Sequence, residues 1–575
     1  MAKIKRLPYG ISDFRQVRRE NLYYVDKTMY LPQMEDAGHF LFLIRPRRFG
    51  KSIFLNMMKA YYDVNERENF SKTFEALWIA DHPTEWMGQY QVLHLDFSKV
   101  SGNIDVLEER FGKYCNKMLD DFIMRYAPFY DDDYVKYGIE ETDYSAKFTY
   151  IDNAAKRFGH QLYLIVDEYD NFTNTVLNEH GEKVYHDLTH ASGFYRDVFK
   201  LFKGMFERIL MMGVSPVTLD DLTSGYNIAT DISMEPEFNL MLGFSETDLR
   251  DMIRYYQSNG LIKADENTLL AEMKPWYDNY CFSKQAVTKD PKMFNCDMVL
   301  YYLNSVIKTG ASPESMIDRN TRTDYVKMKR LLQLDQLDGN RKGMLHQIAE
   351  DGYIYAIPNQ SFPAENLAKP ENFISLLLYY GMLTIGGVDG ADLKLIIPNN
   401  NVRKQYYGYL LEEFQAIVTV DTSVLAQAYK KAALHGDWKS MVEEIAMAYT
   451  STTSVRQLIE GERNIQGFMN AYLTLNPYYQ LAPEMELNHG YCDFFLMPDH
   501  IRYPMVRHSY IIELKYLKTD ASQEEAKRQW EEATEQIRDY AKAPMVKTMK
   551  ADTELHLIII QFRGYKLEKS GSIEL

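Results

Sequence analysis

The sequence has little cysteine, little tryptophan and no long apolar run. Its four cysteines, Cys115, Cys281, Cys296 and Cys492, show neither close pairing nor metal-ligand spacing, which argues against a disulfide framework and a cysteine-based zinc site. No stretch approaches the roughly 20 apolar residues that span a bilayer, and the first residues lack an apolar signal core. We therefore expect a cytoplasmic protein with no membrane partner.

Positive charge is also scarce. The chain of 575 residues carries 65 Lys and Arg against 81 Asp and Glu, a formal net charge of −16. A protein that coats nucleic acid without sequence preference needs clustered positive charge, so the composition excludes that class. It does not exclude a nuclease, whose metal site is itself acidic and whose substrate would contact a local basic groove.

The pattern along the chain indicates three parts. Through residue 240, strand-like apolar runs alternate with amphipathic stretches, as in a parallel α/β sheet covered by helices. These runs are residues 40–44, 92–97, 162–166 and 209–214. Residues 241–453 have a mainly helical period, for example at 325–337 and at 372–380, and the strand-like 382–385 then predicts a winged-helix-like unit. Residues 454–575 form a last α/β segment.

A phosphate-binding loop is predicted after the first strand-like run. The order of strand, loop, Gly-Lys-Ser and helix is that of a P-loop, in which backbone N–H groups and a lysine hold phosphate and a hydroxyl ligates Mg²⁺. We assign nucleotide binding to Arg48, Phe49, Gly50, Lys51 and Ser52. The usual first glycine of the motif is replaced by Arg45, and a capped helix start is the alternative interpretation of the tripeptide.

Two further segments favour an ATPase. The apolar run 162–166 ends in Asp167, which would join the Mg²⁺ shell, and Glu168, which would orient the attacking water. Acidic pairs at strand ends are also common turn residues. Ser215 follows the run at 209–214 and could sense the γ-phosphate. The order of these pieces is that of P-loop ATPases with an additional central strand, but no arginine finger can be assigned.

A carboxylate cluster is predicted near the C-terminus. Asp493 and Glu513 lie on two strand-like segments, and Lys515 shares a strand face with Glu513 because side chains two apart point the same way. Two such acids can hold Mg²⁺ beside a phosphodiester, and the lysine can position water or stabilise negative charge. The alternative is an exposed Glu513–Lys515 ion pair. Against it, both segments are strongly apolar, so buried acids would need metal or partners.

Two outlying residues complete this candidate site. Glu462 lies upstream in a helical segment and could supply another metal ligand. Gln536 lies downstream, four residues before Tyr540 on a helical face.

Together these residues resemble a bacterial family that joins an AAA-ATPase-like N-terminal domain to a C-terminal PD-(D/E)XK nuclease-superfamily domain. The resemblance implies Asp493, Glu513 and Lys515 as the catalytic set, with Glu462 and Gln536 also carried over, and the arginine-rich loop is the form this family uses. One basic side chain that often precedes the first acid is missing here. The segments that carry the resemblance are Leu7-Pro-Tyr-Gly-Ile11, Tyr24-Val-Asp-Lys-Thr28, residues 45–52, Gly213-Val-Ser-Pro216, Trp276-Tyr-Asp-Asn-Tyr280, and Asp493 with Glu513-Leu-Lys515.

We therefore predict an ATP-controlled, Mg²⁺-dependent nuclease of three parts: a P-loop ATPase sheet (1–240), a helical and winged-helix-like region (241–453) and a restriction-endonuclease-like α/β domain (454–575). The expected cofactors are ATP and Mg²⁺, and DNA is expected ahead of RNA as substrate. The alternatives are a nucleotide-switched interaction protein whose nuclease fold is inactive, and an ATPase with a DNA-binding tether. AAA-like ATPases often form rings, so homo-oligomerisation is a further expectation by analogy.

Overall fold

The computed structural model describes residues 4–100, 104–171, 194–216, 229–289, 292–318, 339–363, 366, 369–415, 422–450, 462–488, 490–500 and 502–574. The helical segment predicted at 325–337 lies outside these residues. The chain divides into two compact units, residues 1–341 with 355–400 and residues 342–354 with 401–575. No helix within the described ranges combines the length and apolarity that a bilayer crossing requires.

The first unit is built on a five-stranded parallel sheet, as the alternating pattern predicted. Its strands, in chain order, are β1 (Phe40–Ile44), β2 (Tyr90–Asp96), β3 (Gln161–Asp167), β4 (Arg208–Gly213) and β5 (Thr230–Asp231). Their spatial order is β2-β3-β4-β1-β5, and every neighbouring pair is parallel. Parallel strands end at the same edge of a sheet, so the segments after β1, β3 and β4 meet there.

Helices cover both faces of this sheet, which explains why β3 and β4 are almost continuously apolar. One face packs on the helices Ile104–Tyr126, Asp132–Glu140, Tyr144–Phe158 and Phe194–Phe202. The other packs on Tyr30–Ala37 and Lys51–Tyr62, among others. Shorter helices of this part are Phe14–Arg19, Phe70–Thr73 and Trp78–Asp81, with 3₁₀ turns at Val64–Asn69, Phe97–Lys99, Ala127–Phe129 and Pro236–Phe238.

The middle of the chain is helical, as predicted. Helices Glu246–Ser258, Glu266–Tyr277 and Cys296–Thr309 share a core of their own. The first begins at a capping box, since the Ser245 side chain accepts from the Asp248 N–H and the Asp248 side chain accepts from the Ser245 N–H.

Later in the middle part, helix Pro370–Tyr379 leads into the antiparallel pair β7 (Thr384–Asp389) and β8 (Asp392–Ile396). The sequence pattern predicted the helix and a strand directly after it, and the second strand, β8, was not predicted. Helix Gly339–Asp351 and β6 (Tyr353–Ala356) precede these elements in the chain.

The second unit contains the C-terminal α/β fold. Its strands are β9 (Tyr479–Leu487), β10 (Gly490–Pro498), β11 (His508–Leu517), β12 (Glu554–Arg563) and β13 (Lys566–Ile573), in the spatial order β13-β12-β11-β10-β9. Only β11 and β12 pair in parallel among these, because helix Gln523–Ala541 crosses between them. The remaining helices are Asn400–Gln415, Thr422–His435, Trp438–Thr450, Glu462–Leu473 and Pro544–Met549.

Candidate nucleotide and metal sites

The loop after β1 has the backbone shape of a phosphate cradle. Arg48 and Gly50 both adopt left-handed conformations, with φ of 66° and 87°. Helix Lys51–Tyr62 begins directly after Gly50, and no side chain caps its N-terminus. The N–H groups of that first turn therefore point out of the helix end with the positive pole of its dipole, which is an arrangement that binds anions.

Lys51, at the end of this loop, contacts the start of the loop, and Ser52 follows it in the first turn of the helix. The Lys51 ammonium donates to the carbonyl oxygens of Arg45 and Pro46, both at 2.9 Å. Burial lowers the pKa of Lys51, and the charges of Glu168 and Asp167 oppose that effect. The ammonium therefore already lies against the loop, and a phosphate group could replace the two carbonyl oxygens as its hydrogen-bond acceptor.

Two residues predicted to hold Mg²⁺, Ser52 and Asp167, are in contact at one edge of the sheet. The Ser52 hydroxyl donates to Asp167 Oδ2 at 2.7 Å, because both residues lie at the carboxyl edge of the parallel strands. Within the described residues Asp167 Oδ1 is buried and accepts no hydrogen bond, and burial raises the pKa of this carboxyl group. A buried carboxylate oxygen with spare acceptor capacity beside a hydroxyl fits a hard divalent cation. Glu168 follows with a left-handed backbone, φ 49°, and burial raises its pKa too.

The end of β4 is anchored by a residue that sequence reasoning missed. Asp170 accepts from the N–H groups of Val214 at 3.1 Å and Ser215 at 2.6 Å. Tyr169 donates its hydroxyl to the Ser215 carbonyl at 2.7 Å. Ser215 is fully buried and lies at the expected edge, and its role as a phosphate sensor stays a prediction. The signal for Asp170 was its place three residues after Asp167, in the turn that follows β3.

The other two loop residues have structural contacts of their own. Arg48 forms an ion pair with Asp297 at 2.6 Å. Phe49 is buried and packs edge-on against Tyr280 and Phe282, with ring centroids 4.9 and 5.4 Å away. These contacts fix the loop to the middle of the chain, so phosphate binding by these two residues would come from the backbone of Phe49 and from rearrangement of Arg48.

A cavity of ≈ 440 Å³ opens beside the loop, within the first unit. Its walls are largely apolar and come from three distant parts of the sequence, represented by Tyr24, Leu242 and Leu300. Lys27 also lines it and pairs with Asp248 at 2.9 Å. A cavity of this size, mostly apolar and with charged groups on the side of the loop, suits a small-molecule ligand. The sequence alone gave no sign of these walls, since only folding brings the three segments together.

The predicted carboxylates meet on β10 and β11. Their antiparallel pairing ends with Phe494 opposite Ile512, so Asp493 and Glu513 are the next pair in the same register. Asp493 Oδ2 accepts from the Leu514 N–H at 2.6 Å. Glu513 is 3% exposed, and Lys515 donates to its Oε1 at 2.8 Å. The Glu513 carboxylate is therefore buried and Lys515 half-buried, and the pair lies beside a second acid.

Helix Glu462–Leu473 supplies one residue that reasoning from the sequence did not select. Gln466 donates to Asp493 Oδ1 at 3.3 Å from helix Glu462–Leu473. Glu462 lies one turn earlier on the same helix, and its side chain is outside the described residues. The signal for Gln466 was this four-residue spacing, which places both on one helix face.

The other helix at this site presents Tyr540 to the acids. Tyr540 is buried, and the pKa of its hydroxyl is raised by burial first and then by the charges of Glu513 and Asp493. Gln536 lies on the exposed side of that helix, and no contact among the described residues joins it to Asp493 or Glu513. Gln536 and Tyr540 were expected to share a helix face, but only Tyr540 of these two faces the sheet. It does so together with Ala533 and Ile537.

Two parts of the chain match known families. Residues 8–223 match the family described as Predicted AAA-ATPase, and residues 460–570 match the PD-(D/E)XK nuclease superfamily. The chain joins an AAA-ATPase-like domain to a PD-(D/E)XK nuclease-superfamily domain. The resemblance inferred from the sequence motifs is thereby confirmed. Domains of these two kinds use nucleotide and divalent metal in general.

Individual relatives of this AAA-ATPase-like and PD-(D/E)XK chain are distant. A protein of Azotobacter chroococcum mcd 1, described as an uncharacterized protein in the vnfD 5′ region, is 27% identical over 290 residues. That match covers 49% of this chain and 50% of the relative, so the chain spans about half of that protein's length. The solved ORC2 protein of Aeropyrum pernix, in ADPNP and ADP complexes, aligns over 69% of this chain and 98% of its own, with 12% identity and a TM-score of 0.32.

Proposed function

We propose that the protein is an ATP-binding, Mg²⁺-dependent nuclease whose cleavage of nucleic-acid phosphodiester bonds is controlled by nucleotide. The observation that carries the nuclease part is the grouping of Asp493, Glu513 and Lys515 at one point of β10 and β11, with Glu513 buried and the other two half-buried. Burying the Glu513 carboxylate costs several kcal/mol before pairing, which is a large part of a domain's stability. A site with no function has no reason to keep all three.

In this proposal Asp493 and Glu513 hold the divalent cation, which when bound supplies Lewis acidity to the scissile phosphodiester. The Leu514 N–H keeps Asp493 oriented and favours its ionised form. Lys515, already beside Glu513, can hold the attacking water or stabilise the negative charge that develops on the phosphate oxygens. Gln466 orients Asp493 from outside the cation's contacts.

At the other site, the proposal places the nucleotide base in the apolar cavity and its phosphates on the loop. Lys51 would exchange its two carbonyl partners for phosphate oxygens, which are better acceptors for an ammonium. Ser52 and Asp167 would hold the Mg²⁺, and Glu168 would orient water. Ser215 would sense the terminal phosphate. The limits 1–240, 241–453 and 454–575 remain our proposed domain boundaries.

The test is a cleavage assay on plasmid, linear DNA and RNA, with Mg²⁺ or Mn²⁺ and with or without ATP. Asp493→Asn keeps the size of the side chain and should lower cleavage by about 100-fold or more, because one cation ligand is lost. The matched control is Asp520→Asn, an exposed acid of the same unit, which should cleave as the wild type does. Equal activity of Asp493→Asn and wild type would remove the nuclease assignment.

A separate binding measurement tests the nucleotide site. Lys51→Ala should weaken the affinity for ATP, while Lys72→Ala, at an exposed position of the same unit, should leave it unchanged. Unchanged affinity in Lys51→Ala would refute the P-loop. Normal ATP binding without cleavage under any condition would favour the alternative, a nucleotide-switched interaction protein with an inactive nuclease fold.

A further inference from the structure

A second cluster of metal-binding side chains lies at the opposite end of β11 from the carboxylates. His508 Nδ1 lies 2.9 Å from His556 Nε2 and 3.5 Å from Glu554 Oε2. In the parallel register of β11 and β12, His508 is opposite Glu554, and His556 follows two residues later on the same face. One ligand atom from each of the three residues falls within 4.8 Å of the others.

The two imidazoles turn ring nitrogens toward each other. His508 Nδ1 and His556 Nε2 are at hydrogen-bonding distance, 2.9 Å, so both lone pairs can bind one ion once the proton between them is released. Neutral imidazole is the form that coordinates metals.

The distances need little adjustment to accept an ion. Zinc–nitrogen bonds of about 2.0–2.1 Å at tetrahedral angles place two ring nitrogens roughly 3.3 Å apart. The two nitrogens are at 2.9 Å, so the rings need to separate by only a few tenths of an ångström. Glu554 is exposed at its carboxylate end and can move to follow.

Contacts around the cluster already orient the rings. His556 stacks on Tyr510, with centroids 5.1 Å apart and planes 20° apart. Tyr479 donates its hydroxyl to the His508 carbonyl at 2.8 Å. The turn after helix Thr422–His435 lies against the His508 ring, since a Cβ on Gly436 would be 3.1 Å from it. Residues that hold ligands in place in this way strengthen metal sites.

We propose that His508, His556 and Glu554 bind one transition-metal ion of the Zn²⁺ type, at a site separate from the Asp493–Glu513 carboxylates. Two imidazoles and one carboxylate suit Zn²⁺ or Co²⁺, whereas Mg²⁺ prefers oxygen ligands. A fourth position is left for a water molecule. The bound ion joins the starts of β11 and β12, and so fixes the strand that carries Glu513 and Lys515.

The experiment titrates the metal-free full chain with Zn²⁺, and with Co²⁺ as a spectroscopic probe. To separate the two sites, the titration uses the Asp493→Asn background. One equivalent of Zn²⁺ should bind, and His508→Asn or His556→Gln should weaken binding by more than about 100-fold. The exposed His39 supplies the control, since His39→Ala should bind as the parent does.

A stability readout keeps the result independent of catalysis. Zn²⁺ should raise the Tm of the second unit in the parent and not in the two histidine variants, each of which must first show a parental circular dichroism spectrum. Saturable Zn²⁺ binding that persists in the His508→Asn/His556→Gln double variant would overturn the proposal. So would the absence of Zn²⁺ binding in the parent, which would leave the pair as an N–H···N hydrogen bond.

Discussion

Arg45 takes the place of the first P-loop glycine, and its contacts predict a large effect of restoring that glycine. The guanidinium is 1% exposed and donates to the carbonyl oxygens of Ile44 at 2.9 Å, Ser233 at 2.6 Å and Phe238 at 2.8 Å. It also lies 4.3 Å above the Phe282 ring. Burial lowers the pKa of Arg45 to about 10, so the group is still charged at neutral pH.

The cost of Arg45→Gly follows from these contacts. Each hydrogen bond from a charged donor contributes about 1.5–3 kcal/mol, and the cation–π contact adds roughly 0.5–2 kcal/mol. Removing a buried cation also removes its desolvation cost of several kcal/mol, which offsets on the order of half of the contribution of these contacts. The glycine itself adds about 0.5–1 kcal/mol of backbone entropy. We expect a net loss of at least about 3 kcal/mol in the stability of the first unit.

Amide hydrogen exchange in β1 and β4 measures this loss directly, because those strands lie at the centre of the sheet. A loss of about 3 kcal/mol lowers their protection by roughly 100-fold. Arg157→Ala removes an arginine whose side chain is 76% exposed, and it should change stability by less than about 0.5 kcal/mol. Protection in Arg45→Gly within about threefold of wild type would refute the reasoning, since three buried carbonyls would then have lost their donor without cost.

Three further substitutions test the packing and the charge of other positions. A Cβ on Gly490 would lie 2.7 Å from the Tyr540 ring, so Gly490→Ala should destabilise the second unit by about 1–3 kcal/mol in urea unfolding. Gly408→Ala, in a helix with open space around it, should instead stabilise by about 0.5–1 kcal/mol. Burial raises the pKa of Asp278 from 3.8 to about 6, so its neutral form is favoured on folding. The free energy of unfolding of the wild type, measured relative to that of Asp278→Asn, should therefore fall by about 2–3 kcal/mol as pH rises from about 4 to 6. Above that range it should fall no further.

The sequence predicted the parallel sheet because its strands are buried on both faces and leave long apolar runs. It could not predict strand order, since the pairing of β1 with β4 depends on contacts between residues more than 160 positions apart. β5 has only two residues and no apolar signal. Its position at the sheet edge is set by β1, not by its own pattern.

Some residues of the candidate sites could likewise be predicted from the sequence, and others could not. Ser52 and Asp167 were predictable because strand ends in a parallel sheet meet at one edge. Asp493 and Glu513 were predictable because their strands are short, apolar and adjacent in sequence. The cavity walls, Gln466 and the histidine cluster were not, since each depends on register or on packing between distant segments. His508 and His556 are 48 residues apart and match no ligand-spacing motif.

Only one carboxylate oxygen of Asp167 accepts a hydrogen bond within the described residues. We infer that this carboxylate lowers the stability of the first unit and is kept because it binds a cation. Ser52 donates to one oxygen, and the other accepts nothing within the described residues. Because burial raises the pKa of this carboxyl group, its neutral form is favoured on folding. Its stabilising contribution is therefore present below the ordinary Asp pKa and is lost as pH rises through the folded-state value. At neutral pH, the ionised side chain costs free energy in the metal-free protein.

Asp167→Asn removes that charge while keeping an oxygen for the Ser52 hydroxyl. We expect the variant to unfold at a higher temperature than wild type when both metal and nucleotide are absent. With Mg²⁺ and ATP at about 100 times their dissociation constant, the wild type should gain about 2.7 kcal/mol, and the variant much less, so the order of stability reverses. Thermal unfolding of the two proteins with and without Mg²⁺ and ATP measures both effects. A variant less stable than wild type without ligand would mean that Asp167 is a structural acid, because a charge kept for a cation must cost stability until the cation binds.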